Sequence, residues 1–251
     1  MDDERLRSLF ASLATLTQHG PIPVQAYSML ANRHSPESLA EHMRIRWLAD
    51  CRFGPIAANI VLHIHKMDLG DVALSSCVLA LLLNDYRNRL QVRNDSRLMF
   101  RNSVRTLFSM YPIFVKLDQC VSQSFIKPMF CSLDMLIDDD PDSDDLEVAA
   151  GILMEEFGPS LHDLNSYLVD RLIVKVRHRM ISDDVVMNRD IRQILLHVCD
   201  LWAFGWSELN VPECLAIMPT SGSLTDGRHL APPPRKNDVT HQEFGSKESI
   251  I

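Results

Sequence analysis

The sequence predicts an all-α protein, and three observations carry the prediction. Apolar residues recur at i+3 and i+4 in nine successive segments, the period of one helix face. Turn residues are scarce in the body of the chain: of 9 Gly and 13 Pro, four Gly and five Pro fall after Phe204. No segment reads convincingly as a strand. Ile173-Val174-Lys175-Val176 is rich in β-branched residues, but its flanks continue a helical stripe.

The elements follow in order. Leu6, Leu9, Phe10, Leu13 and Leu16 share one face, and Gly20-Pro21 closes that segment. Ser35 or Pro36 opens a second helix, through about Asp50, with Ser35 as N-cap and Glu37 and Glu41 favoured at the positive helix end. A third follows Gly54-Pro55, with Ile56, Ile60, Ile64 and Met67 in register. Gly70-Asp71 starts a fourth, where Leu74, Val78, Leu82 and Tyr86 recur at i+4. Asn94-Asp95-Ser96 breaks the chain and caps a fifth, whose stripe is Phe100, Val104, Leu107 and Phe108; Pro112 bends or ends it. Ser122 or Ser124 opens a sixth, with Ile126, Met129, Leu133, Leu136 and Ile137 facing inward. A seventh runs from about Leu146 to Phe157, stopped by Gly158-Pro159. The eighth carries Leu161, Leu164, Leu168, Leu172 and Val176. The ninth follows Ser182-Asp183-Asp184 and carries Ile191, Ile194, Leu195, Val198, Leu201 and Trp202, with Gly205 where a helix C′ glycine belongs.

Helix pairs starting near 36, 72, 122 and 160 are spaced by about forty residues, as in a HEAT-like stack of antiparallel helical hairpins, an α-solenoid. Residue identity does not repeat, so the repeat is structural. The expected domain spans 1–206. After about Asn210 the chain loses its period and gains Pro232-Pro233-Pro234, and residues 207–251 read as a disordered tail.

At 46% apolar, the 251 residues are too hydrophobic for a disordered chain and sufficient for one sizeable core. The formal charge is −8, but it is unevenly placed. Residues 138–147 hold seven acidic side chains and no basic one, and residues 207–251 carry −2, leaving the remainder at +1. Bulk charge therefore neither excludes nor favours nucleic acid. The acidic start Met-Asp-Asp-Glu has no apolar core of a secretory signal, and Val72–Leu83, the longest mostly apolar stretch, is too short to span a bilayer. Cys51, Cys77, Cys120, Cys131, Cys199 and Cys214 form no Cys-x-x-Cys pair and read as buried thiols of a reducing compartment. The expected setting is cytoplasmic, with the nucleus also open to it, and no membrane association.

Signals for catalysis fail one by one. There is no Gly-x-Gly-x-x-Gly, no phosphate loop and no Gly-x-Ser-x-Gly elbow. His63 and His65 are two apart, on different helix faces, so they do not chelate one metal. The acidic run lacks the alternation and glycine of an EF-hand loop; it reads as a solvated loop, with an electrostatic partner site or phosphorylation at Ser143 as alternatives. No cofactor, no metal and no catalytic residue is expected.

The basic residues form two stripes. Arg171, Lys175 and Arg179 are spaced by four on the eighth helix, read as lying opposite its Leu stripe with only Asp170 nearby to relieve their repulsion. Arg89, Arg93, Arg97, Arg101 and Arg105 repeat the spacing, split by the break at 94–96 onto two helices. Such stripes usually solvate a helix face; on a solenoid they can also hold an RNA backbone or an acidic peptide. Few aromatics interleave with them, which disfavours base stacking. Trp202 reads as core. Trp206 lies past the ninth helix, able to fold back or to anchor a partner, and Ser249-Ile250-Ile251 has the form of a PDZ-ligand ending. The candidate partner- or RNA-binding residues are thus Arg97, Arg101, Arg105, Arg171, Lys175, Arg179 and Trp206.

Four stretches carry a family resemblance. Leu48-Ala-Asp-Cys-Arg-Phe-Gly-Pro-Ile-Ala-Ala-Asn-Ile resembles the second hairpin of the middle domain of eukaryotic translation initiation factor 4G. Leu81-Leu-Leu-Asn-Asp-Tyr-Arg-Asn-Arg is similar to its helix ending in a tyrosine and charged residues, and Ser96-Arg-Leu-Met-Phe-Arg-Asn-Ser-Val-Arg-Thr-Leu-Phe to a basic-then-apolar helix. Ile194-Leu-Leu-His-Val-Cys-Asp-Leu-Trp-Ala-Phe-Gly-Trp resembles the last helix of small stand-alone members such as the histone stem-loop-binding-protein interactor. The likeness covers about Pro36 to Trp206. It implies an all-α stack of HEAT-type hairpins and a non-catalytic adaptor in messenger RNA translation or metabolism. The implied partner is a protein factor bound to messenger RNA, and direct RNA contact and a homodimer are compatible with it. The alternative is a generic helical-repeat scaffold unrelated to RNA.

Overall fold

A computed structural model describes residues 35–67, 73–182 and 187–207. The expected first helix, the Gly70-Asp71 start, Asp183-Asp184 and the tail beyond Ser207 lie outside the described residues. Two units divide the chain, Met1–Ile217 and Met218–Ile251, and every described residue belongs to the first.

Regular structure among the described residues is helical throughout. In order these are α1 (Pro36–Ala49), α2 (Phe53–Met67), α3 (Ala73–Arg87), α4 (Arg89–Asp95), α5 (Arg97–Leu117), α6 (Gln119–Asp138), α7 (Ser143–Ile152), α8 (Gly158–Ile181) and α9 (Arg189–Ala203). A π-helical turn, Leu153–Phe157, joins α7 to α8. Side-chain oxygens satisfy amide groups that the first helical turns leave unpaired. Ser35 accepts from the Ser38 N–H, Ser96 from that of Met99 and Asn188 from that of Ile191.

The stripes read from the sequence meet in one core, in which Trp47, Phe100, Phe108 and Phe125 are fully buried. Each such side chain stabilises the fold by roughly 1.5–3 kcal/mol through loss of apolar surface from water. The long α5 is the centre: α1, α2, α4, α6 and α7 all pack on it. α3 packs on α1 and α6, α6 on α8, and α8 on α9. Asn102 pins α5 to the end of α1 by donating from Nδ2 to the Leu48 carbonyl (3.0 Å).

Several boundaries differ from expectation. Pro112 does not end its helix; α5 continues to Leu117. A proline there forfeits one backbone bond, but Ile113 and Phe114 beyond it are buried and Phe114 stacks on Phe125 at 5.0 Å between centroids. α6 opens not at Ser122 or Ser124 but at Asp118, whose carboxylate accepts from the Cys120 and Val121 amides. Both serines donate instead to carbonyls three residues back. Gly158 starts α8 directly after the π turn. α8 is kinked at Asn165 (φ −163°, ψ 90°), whose side chain re-caps the chain by accepting from the Leu168 N–H. Of the five cysteines described, all are free thiols, but Cys51 and Cys120 are exposed rather than buried. Both stand at helix starts, Cys51 just before α2 and Cys120 in the first turn of α6.

The α9 end closes as its Gly-Trp ending suggests. Gly205 (φ 66°) and Trp206 (φ 62°) both take left-handed backbone, strained for tryptophan. Trp206 folds back. Its indole lies over Gly158 so closely that a β-carbon there would sit 2.3 Å from the ring, which is why that position is glycine.

Candidate functional site

The first basic stripe is engaged within the chain. Ser96 breaks the backbone between α4 and α5, yet Arg93, Arg97 and Arg101 still share one line across the break and converge on Asp145. Asp145 is 0% exposed. Its carboxylate accepts from Arg93 (3.3 Å), Arg97 (3.1 Å) and Arg101 (3.2 Å). Arg93 also donates to the carbonyls of Met135, Asp139 and Asp140, and Arg97 and Arg101 reach Asp140, Asp142 and Asp144.

The acidic run is therefore not a solvated loop. Asp138 ends α6, residues 139–142 form the connection, and Ser143-Asp144-Asp145 is the first turn of α7. Asp142 caps that turn, its side chain accepting from the Asp145 amide while Asp145 accepts from the Asp142 amide. Seven like charges in sequence would repel; three guanidinium groups pair with five of them, Asp139, Asp140, Asp142, Asp144 and Asp145, and the positive end of α7 favours those in its first turn. Burial and the neighbouring Asp142 push the Asp145 carboxyl above its ordinary range, against the pull of Arg93 and Arg101. Burial also opposes the Asp142 carboxylate, but the Asp145 amide, Arg101 and Arg97 together hold it low.

The second stripe behaves alike. Arg171, Lys175 and Arg179 each follow an apolar residue of α8 by three: Leu168, Leu172 and Val176. That spacing places them on the row beside the apolar stripe, not opposite it. The row borders α6. Lys175 pairs there with Asp134 (2.5 Å) and Asp138 (2.9 Å), and Arg179 with the Ile137 and Asp138 carbonyls and the Asp138 carboxylate. The carboxylates that relieve the repulsion thus come from α6, not from Asp170. Lys175 above all, with Arg179, keeps the Asp138 carboxyl below its ordinary range. Asp170 accepts from Trp202 Nε1 (2.9 Å), and Arg177 covers the Trp202 ring at 5.1 Å, so Trp202 is a half-buried edge of the core.

Arg171 differs from its two neighbours. It is exposed and forms no ion pair with a described residue. It stands at the rim of a groove of about 290 Å³ between α6 and α8. Ile126, Phe130, Leu168 and Leu172 make its apolar floor. Lys127, exposed on α6 and equally without an ion pair among the described residues, belongs to the same lining. Asp134 also lines the groove, but Lys175 already neutralises it. Cys131 also lines the groove, and on α3 the Tyr86 ring carries Arg89 at 4.6 Å. Exposed Tyr167 and Val174 extend the apolar surface along α8.

Of the residues singled out from the sequence, Arg171 thus falls at a groove. Arg97, Arg101, Lys175 and Arg179 brace neighbouring helices. Arg105 is half-exposed on α5, without an ion pair to a described residue, and Trp206 packs on Gly158. Lys127 belongs to no stripe, and Phe130, four residues after Ile126, is buried on the inward face of α6, so spacing alone marks neither as part of a groove. Compared with protein-family models and with curated proteins, the chain matches no family and no curated protein.

Proposed function

We propose that this chain is a non-catalytic adaptor in messenger RNA translation or metabolism, acting in the cytoplasm and open to the nucleus. On this reading the helices form a HEAT-like stack of antiparallel hairpins related to the middle domain of initiation factor 4G. The order of packing supports it, since α3, α6 and α8 follow one another along one row and α2, α5, α7 and α9 along a second. The observation that carries the reading is the α6–α8 groove: an apolar floor between helices, flanked by two cations not engaged in ion pairs among the described residues, suits a segment of a protein partner. The partner is a factor that is itself bound to message.

The test is capture from lysate by the full chain, with and without ribonuclease. The reading expects a protein partner that persists after ribonuclease and that itself carries messenger RNA beforehand. Capture of partners that carry no RNA would favour a generic helical scaffold.

A further inference from the structure

We infer that the α6–α8 groove docks a short acidic segment of a protein, with one large apolar side chain seated on Phe130 and Leu172 and carboxylates held by Lys127 and Arg171. The inference rests on the proposed function for placing a partner at this groove, and adds what that partner must look like. Arg93, Arg97, Arg101, Lys175 and Arg179 all have carboxylate partners within the chain. Lys127 and Arg171 have none among the described residues, although Asp134 lies in the same lining, where Lys175 bonds it at 2.5 Å. The groove thus presents two cations beside an apolar floor with its own acid already neutralised.

A carboxylate placed between two cations next to low-dielectric surface gains charge-assisted hydrogen bonds, and the guanidinium fork of Arg171 suits it bidentately. An anchor filling about 290 Å³ of mostly apolar space supplies the remaining affinity. A nucleic-acid backbone fits less well. It needs a row of cations along its path, and here the row ends after Arg171, with Lys175 and Arg179 engaged by α6.

The experiment selects displayed random twelve-residue peptides on the purified full chain, then measures each enriched peptide by fluorescence anisotropy. Wild type is compared with Lys127→Glu/Arg171→Glu, both exposed positions, with helicity checked by circular dichroism. A twelve-residue oligouridylate is titrated in parallel. The expected result is enrichment of peptides combining acidic residues with a large apolar one, binding at least tenfold weaker to the double variant, and at least tenfold weaker when their acids are changed to amides. A truncation in the groove floor, Leu168→Ala, with its helicity checked in the same way, should weaken the same peptides while leaving oligouridylate unaffected. Failure to enrich any peptide, enrichment of neutral or basic ones, or equal binding to the double variant would overturn the inference. So would oligouridylate binding that competes with the peptides and is itself lost in the double variant. Lysate capture tests the link to messenger RNA separately, so either result can fail while the other stands.

Discussion

Replacing Asp145 with alanine should destabilise the fold severely. The carboxylate is fully buried and bonds three guanidinium groups, of which Arg93 is 7% exposed. Removing one partner of a buried ion pair costs about 3–5 kcal/mol, because the remaining charge stays desolvated. Losing the reciprocal cap on α7 adds about 1 kcal/mol. Arg93 keeps its carbonyl partners at Met135 and Asp140 and its pair with Asp139, and Arg101 keeps Asp142 and Asp144, which offsets part of the loss. The net expectation is about 3–4 kcal/mol, which at roughly 2–4 °C per kcal/mol lowers Tm by about 6–16 °C. Thermal melts by circular dichroism with urea titrations supply the number. Asp144→Asn is the control: its carboxylate is 69% exposed, and an exposed pair with Arg101 is worth at most about 1 kcal/mol. A change below about 0.5 kcal/mol for Asp145→Ala would mean that the acidic run is a solvated loop after all.

Gly158→Ala should cost on the order of 1–3 kcal/mol through overpacking, since its β-carbon would lie 2.3 Å from the Trp206 ring and 2.4 Å from the Leu153 carbonyl. Adding Trp206→Ala should recover part of that loss in a double-mutant cycle, and strict additivity would refute the contact. The depressed Asp138 carboxyl gives a pH signature: its pairing stabilises the fold above about pH 4 and is lost as pH falls through its folded-state value. Asp138→Asn should therefore lower Tm at pH 7 by an amount that shrinks as pH is taken below about 4; a constant difference as pH falls would contradict the assignment. Reversing Lys175 to Glu should destabilise, because it sets a third acid against Asp134 and Asp138, whereas Arg171→Glu should leave Tm within about 1–2 °C.

The helices were legible because their signal is local. Leu74, Val78 and Leu82 show the face of α3 by spacing alone, and all three are buried. Ser35 announced the α1 cap, and Gly205 the end of α9. What was illegible depends on distant neighbours. No local rule tells that Arg93 and Asp145, fifty-two residues apart, meet in the interior, so the same seven acids read as a solvated loop. Nor does spacing alone show that α6 supplies Asp134 and Asp138 opposite the basic row of α8. The same holds for the reach of α5 past Pro112: the proline's local penalty is visible in the sequence, and the contact of Phe114 with Phe125 beyond it is not. The groove needed two helices at once, with Lys127 and Phe130 on one and Leu168 and Arg171 on the other.

On the proposed reading the conspicuous cations hold the fold together, while Lys127 and Arg171 are left to meet the partner. The most direct measurement compares three full-length proteins, wild type, Lys127→Glu/Arg171→Glu and Lys175→Gln, for both Tm and the dissociation constant of one enriched acidic peptide. The account predicts that the groove variant keeps its Tm and binds at least tenfold more weakly, while Lys175→Gln melts lower and loses less than threefold in affinity. Equal binding by wild type and the groove variant, with binding lost in a still-folded Lys175→Gln, would contradict it.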